Sequence, residues 1–279
     1  MKLVSGSKSM DTSDRAAVVA ILNVTPDSYY DGGKNVALPH LLQNAKSAME
    51  HGADILEIGG ESTGPGSVHV SLQTELDRVL PVVRAIRAAL PLAWISIDTT
   101  KASVAEAALN SGADMINDIS AGRADPKMFS VIASMGCPYV LMFSKDPTPR
   151  TTKSDQQYDD VIATIRSFLV ERISRARAAG ITSGQIILDP GLGHFISSNP
   201  RYSFEILRRL RELADLGPVF ISPSRKSFLA GPKNVPAKER LSATLAATAI
   251  AILHGATYIR THDPKETREV TEVVQAMMS

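Results

Sequence analysis

The chain has 279 residues, 44% hydrophobic and 5% aromatic, with a formal net charge of +1. That is enough apolar material for one large core, and the near-neutral charge gives no electrostatic footprint for nucleic acid. A single cysteine, Cys137, rules out a disulfide framework or a thiolate metal cluster.

Residues 1–15 are polar and lack the apolar centre of a signal peptide, and no apolar run approaches the roughly 18 residues of a membrane helix. The expectation is a cytoplasmic protein with a flexible N-terminal tail over 1–17 and one domain over 18–279.

Apolar strands alternate with helical patterns along the chain. A strand over 18–23 leads to a helix over 35–51, whose apolar positions Leu38, Leu41, Leu42, Ala45 and Ala48 fall at helical spacing. A second strand, 54–58, precedes a helix over 71–90 in which Pro81 predicts a kink or break. The strand 94–98 is followed by a helix over 101–111 that Gly112 is placed to close. Strand 115–118 leads to helix 127–135, and Gly136-Cys137-Pro138 turns the chain into strand 139–142.

Residues 145–157 are rich in Pro, Thr, Ser and Asp and read as an exposed, mobile loop before a helix over 158–179. Strand 186–189, helix 202–216, strand 219–222, helix 237–254, strand 258–260 and helix 265–278 complete the pattern. Runs such as Ile186-Ile187-Leu188 and Val219-Phe220-Ile221 suit parallel strands buried on both faces. A single (β/α)8 TIM barrel of the α/β class is the simplest closure. A doubly wound open sheet is the rival, but the first turn lacks a Gly-x-Gly-x-x-Gly loop.

Most strands end in residues suited to a polar ligand. Asp98, Asn117 and Asp189 each follow an apolar run, and a carboxylate there is costly unless it meets a donor. Any one alone could simply cap a helix. Together, two carboxylates and an amide match a flat guanine-like or pterin ring carrying N–H, amino and carbonyl groups.

Ser224-Arg225-Lys226-Ser227 and Arg260-Thr261-His262 follow strands seven and eight, where barrels commonly bind phosphate. A solvated basic face is the plainer alternative. Arginine forks and the free N–H groups of a helix start nonetheless suit a phosphorylated or pyrophosphorylated substrate. The polar stretches 25–33 and 59–67 read as loops that close over a ligand or as plain surface turns. The histidines form no His-Glu-x-x-His motif, so a tightly held zinc is not expected.

The chain resembles the dihydropteroate synthase family from about Ala20 onward. The resemblance rests on Ile21-Leu22-Asn23-Val24-Thr25-Pro26-Asp27-Ser28, Gly59-Gly60-Glu61-Ser62-Thr63, Ile97-Asp98-Thr99, Ile116-Asn117-Asp118-Ile119, Leu188-Asp189-Pro190-Gly191, Ser224-Arg225-Lys226-Ser227 and Arg260-Thr261-His262-Asp263. It implies a homodimeric barrel that joins a pterin pyrophosphate to para-aminobenzoate with Mg2+. It also implies that Asp98, Asn117, Met142, Asp189 and Lys226 hold the pterin, and that Asn23, Arg260 and His262 hold the pyrophosphate, with Asn23 on the magnesium. Thr63, Phe195 and Ser227 would then lie near the aminobenzoate. Asp98, Lys226, Arg260 and His262 would carry the chemistry.

Some positions depart from the family pattern. Gly64 stands where arginine is common, His194 where phenylalanine is common, Phe143-Ser144 replaces His-Met, and Tyr29-Tyr30 replaces Phe-Ser. The segment from Gly193 to Pro200 resembles that of the mobile sulfonamide-resistance synthases, which implies discrimination against sulfonamides. Two other readings share the pterin pocket. One is a methyltetrahydrofolate-dependent methyltransferase, which needs no pyrophosphate cations. The other is a pterin-binding protein that has lost turnover.

Overall fold

The computed structural model describes residues 2–24 and 34–278, with side chains over 34–37 left aside. A hairpin of β1 (Lys2–Ser5) and β2 (Lys8–Asp11) precedes eight parallel strands: β3 (Ala17–Asn23), β4 (Ile55–Gly59), β5 (Trp94–Asp98), β6 (Met115–Asp118), β7 (Tyr139–Met142), β8 (Ile186–Asp189), β9 (Val219–Ile221) and β10 (Ala256–Thr261). These eight close into a barrel, with β10 hydrogen-bonded to β3 so that Tyr258 lies opposite Ala17. The closure excludes the open-sheet alternative. The helices are α1 (Lys34–Glu50), α2 (Leu72–Ala89), α3 (Ala102–Asn110), α4 (Met128–Met135), α5 (Val161–Ala178), α6 (Pro200–Arg208), α7 (Leu241–Leu253) and α8 (Pro264–Met278). The expected loop over 25–33 lies outside the described residues.

Strand alternation explains both core and site. Ala17, Val19, Ile55, Trp94, Met115, Val140, Ile187, Phe220 and Tyr258 form the inner cluster at the N-terminal end of the barrel. Side chains along a strand face the same way every second residue. Two residues on from Ile55, Trp94, Met115, Ile187 and Tyr258 come Glu57, Ser96, Asn117, Asp189 and Arg260, and two beyond Ser96 comes Asp98. The inward rows therefore change from apolar to polar toward the C-terminal mouth, where barrel enzymes keep their chemistry. The outward positions, among them Leu56, Ile95, Ile116 and Leu188, pack under the helices.

The flexible-tail expectation for 1–17 is corrected by the hairpin. Leu3 is fully buried within the inner cluster and Met10 packs against it, so the hairpin plugs the N-terminal end of the barrel. Polar contacts fix it in place: Lys8 Nζ donates to the Ala93 carbonyl at 2.9 Å, and Ser5 Oγ donates to the Asp114 carbonyl at 2.8 Å.

Three helices differ from expectation. The helix over 71–90 is unbroken at Pro81, which sits on the exposed face, where water can take the carbonyl left free. The stretches around 202–216 and 237–254 each divide into an α-helix and a short 3-10 turn, Leu210–Leu213 and Ala237–Glu239. The loop over 145–157 is pinned. Asp146 accepts from the Thr152 N–H at 2.9 Å and from Thr152 Oγ1 at 2.9 Å, and the neighbouring Thr151 is buried.

Candidate active site

The centre of the mouth is an ion-pair network between β4, β5 and β10. Glu57 is fully buried on β4 and accepts a hydrogen bond from Arg260 Nε on β10. Its other oxygen accepts from Ser96 Oγ at 3.2 Å and from Asn117 Nδ2 at 3.1 Å. Arg260 Nη2 reaches Asp98 Oδ2 at 3.2 Å. A buried carboxylate needs such a partner, and a guanidinium fork can serve two at once. Sequence reading that looked to strand ends missed Glu57, although a lone charge inside Ile55-Leu56-Glu57-Ile58 was a signal.

Asn117 and Asp189 face this network. With Nδ2 committed to Glu57, Asn117 keeps Oδ1 buried and without a hydrogen-bond partner. Such an acceptor is expensive unless a ligand donor fills it. Its neighbour Asp118 points the other way and is consumed locally, accepting from Ser120, Gly122 and Tyr139. Asp189 accepts the Gly191 N–H at 2.7 Å. Burial pushes its carboxyl up to about 6, against the pull of that N–H and of Lys226 and Arg260. Burial also pushes Lys226 down to about 8, opposed by Asp189 and Asp98. The Asp98 carboxyl is raised by burial first; Arg260 opposes the rise, and Glu57 and Glu75 add to it. Met142 is buried at the end of β7, in register with Asp189.

Beside this polar centre lies a cavity of about 1040 Å3, lined in part by Asn23, Thr63, Arg78, Asp98, Arg260 and His262. Asn23, Gly59, Asp98 and Asn117 occupy one level of the sheet, each in register with the next. His262 Nδ1 meets Ser224 Oγ at 2.9 Å, and the His262 N–H donates to the same oxygen. Desolvation, with Arg260 and Arg225 close by, holds this imidazole below the ordinary histidine value. Arg225 has a positive φ of 58° and pairs with Asp263 at 2.5 Å, a contact that fixes the loop carrying Lys226.

No group of three His, Cys, Asp or Glu side chains fit for a metal occurs among the described residues. Asn23, at the end of β3, lines the cavity together with Asp98, Arg260 and His262.

The remaining predicted residues border the same mouth. Thr63 lines the cavity, and Lys226 Nζ lies 4.9 Å above the Phe195 ring. Ser227 opens a 3-10 turn next to Gly193, where an added Cβ would lie 3.6 Å from Ser227 Oγ. Asn117, Asp189, Lys226, Phe195 and Ser227 thus sit beside the cavity rather than among its lining.

Known proteins resemble this chain in sequence and in fold. A family model described as pterin binding enzyme matches residues 19–262. The dihydropteroate synthase of Escherichia coli strain K12 is 40% identical, over 100% of this chain and 97% of its own length. That of Synechocystis is 40% identical over 98% and 93%. Among solved structures, the Yersinia pestis dihydropteroate synthase in a sulfonamide drug complex superposes with a TM-score of 0.91 at 39% identity, covering 100% of this chain and 99% of that one. The Xanthomonas albilineans enzyme with 4-aminobenzoic acid gives 0.91 at 34% identity, covering 100% and 98%. Matched over its barrel by the family model and along its length by these relatives, the chain belongs to the pterin-binding enzymes as a dihydropteroate synthase, a transferase of folate biosynthesis.

Proposed function

We propose that this barrel condenses 6-hydroxymethyl-7,8-dihydropterin pyrophosphate with para-aminobenzoate through the residues described above. The observation that carries the reading is the unpartnered Asn117 Oδ1, buried between Asp98 and Asp189 and next to a cavity bearing Arg260 and His262. A pterin ring offers the N–H and amino donors that this acceptor and the Asp189 carboxylate lack. Lys226, a cation over an aromatic ring, offers a donor to the pterin carbonyl.

The chemistry follows from charge placement. The bond from the pterin methylene to the diphosphate oxygen breaks, and its electron pair leaves with the diphosphate. Arg260 and a neutral His262 donate hydrogen bonds where that negative charge grows. The Asp98 carboxylate faces the cationic pterin methylene that remains. The arylamine nitrogen then gives its lone pair to that carbon and releases a proton to solvent or diphosphate. Magnesium, with Asn23 as one ligand, supplies Lewis-acid neutralisation of the leaving group when bound.

The titrations of Asp189 and Lys226 set a pH window. The pterin needs Asp189 ionised, so binding weakens as pH falls through about 6, and it needs Lys226 protonated, so binding weakens again as pH rises through about 8. Calorimetry with the pterin pyrophosphate should therefore give a bell-shaped affinity profile with its optimum between those values. Affinity independent of pH from 5 to 9 would contradict these assignments.

The same reading includes a cytoplasmic homodimer. Exposed Ile250 on α7 and Val273, Met277 and Met278 on the adjoining α8 supply apolar surface for a second subunit. It also includes discrimination against sulfonamides, supported by Gly64 and by the segment from Gly193 to Pro200. Inhibition as strong as that of the Escherichia coli relative, measured side by side, would contradict the latter.

A further inference from the structure

We propose that the segment over 145–152, latched by Arg150, is a positioning strap that sets the gap between Thr63 and Phe195 and so governs which arylamine the enzyme accepts. The inference rests on the function proposed above. Its basis is a set of long-range contacts that converge on one short loop. Arg150 pairs with the Glu61 carboxylate, which is also held by Lys101 and by the Val70 N–H. Next in the chain, the Thr151 N–H donates to the Thr63 carbonyl at 3.2 Å, and Thr151 Oγ1 donates to the His194 carbonyl at 2.7 Å. From the start of the segment, the Lys145 N–H donates to the Phe195 carbonyl at 2.9 Å. One strap therefore holds the backbones of both Thr63 and Phe195, the residues on the two sides of the arylamine space.

The strap has a shape of its own. Asp146 gathers Lys145 and Thr152 around one carboxylate, and Arg123 Nη2 donates to the carbonyls of Ser144 and Asp146 at 3.0 Å each. Arg150 is the connection that carries charge to the second loop. That loop has no arginine of its own at position 64, although an added Cβ there would meet nothing closer than Ser62 Oγ at 3.9 Å. Steric exclusion thus does not explain the glycine, and Glu61 takes its cations from two other strand-to-helix loops, through Lys101 and Arg150. Arg150 touches neither the Glu57–Arg260 network nor Asp189 or Lys226, so its influence should fall on the arylamine and leave the pterin alone.

The test is steady-state kinetics on full-length Arg150→Ala and Arg150→Lys, with calorimetric binding of the pterin pyrophosphate and thermal melting as controls. For Arg150→Ala the expected result is a KM for para-aminobenzoate raised at least tenfold. The pterin dissociation constant should stay within twofold and kcat within threefold. Selectivity for para-aminobenzoate over an N-alkylated 4-aminobenzamide, which is longer past the carbonyl, should fall at least fivefold. Arg150→Lys keeps a charge on Glu61 and should recover part of both losses. An unchanged KM and selectivity in Arg150→Ala would overturn the assignment, and so would a loss of pterin affinity in step with the KM, which marks a merely structural contact. If the wild type itself released no pyrophosphate with either arylamine, the proposed function would fail first, before any variant was compared.

Discussion

Arg260→Ala is expected to lower kcat/KM by at least about a thousandfold, because a single side chain pairs the carboxylates of the mouth and, in the proposed mechanism, meets the leaving group. Its guanidinium is the partner of two carboxylates, the buried Glu57 and the half-buried Asp98. Deleting it leaves both beside one another, uncompensated, and breaking a buried pair in this way typically costs about 3–5 kcal/mol. It also removes the donor that the proposed mechanism assigns to the departing diphosphate. Arg260→Lys keeps one charge and loses the fork, so it should retain more stability than activity. Stopped-flow or steady-state pyrophosphate release, read beside a thermal melt, separates the two effects. An Arg260→Ala variant within tenfold of wild type would remove Arg260 from the mechanism.

Asp189→Asn should weaken the pterin by roughly 100-fold, or about 3 kcal/mol, the worth of one or two hydrogen bonds to a charged acceptor. The amide can still accept the Gly191 N–H, so the loop after β8 keeps its anchor. Stability should move the other way. Burial raises the Asp189 carboxyl to about 6, above its ordinary value, so near pH 7 the folded chain holds a charge it disfavours. That penalty is absent at low pH and grows as pH rises past the ordinary carboxylate range, and the neutral amide never incurs it. The variant should therefore melt no lower than wild type at pH 7 while binding the pterin far more weakly. A parallel loss of melting temperature would mean that Asp189 serves packing rather than the ligand.

The barrel was legible because its strands are short, apolar and punctuated by polar residues, and each such end points to the same mouth. Asp98, Asn117, Asp189, Arg260 and His262 were found that way. Glu57 was not, since it lies one step inside its strand, and only the closed barrel shows that its parity matches Asn117 and Arg260. The hairpin at the N-terminus escaped for a different reason. Its strands are four residues each and mostly polar, and what holds them is a single buried leucine, Leu3, with Lys8 and Ser5 reaching residues about 85 to 109 positions away. The loop over 145–157 read as mobile from its Pro, Thr and Ser content. Its order comes from contacts with Glu61, Thr63 and His194, and separations of 43 to 89 residues leave no local pattern.

Pyrophosphate release from 6-hydroxymethyl-7,8-dihydropterin pyrophosphate with magnesium, measured with and without para-aminobenzoate, decides whether this barrel carries out the condensation. Release should depend on the arylamine, with dihydropteroate formed in equal amount. Tight binding of the pterin with no release in the presence of the arylamine would contradict it, and would mean that the Glu57–Arg260 network holds a ligand without breaking its bond.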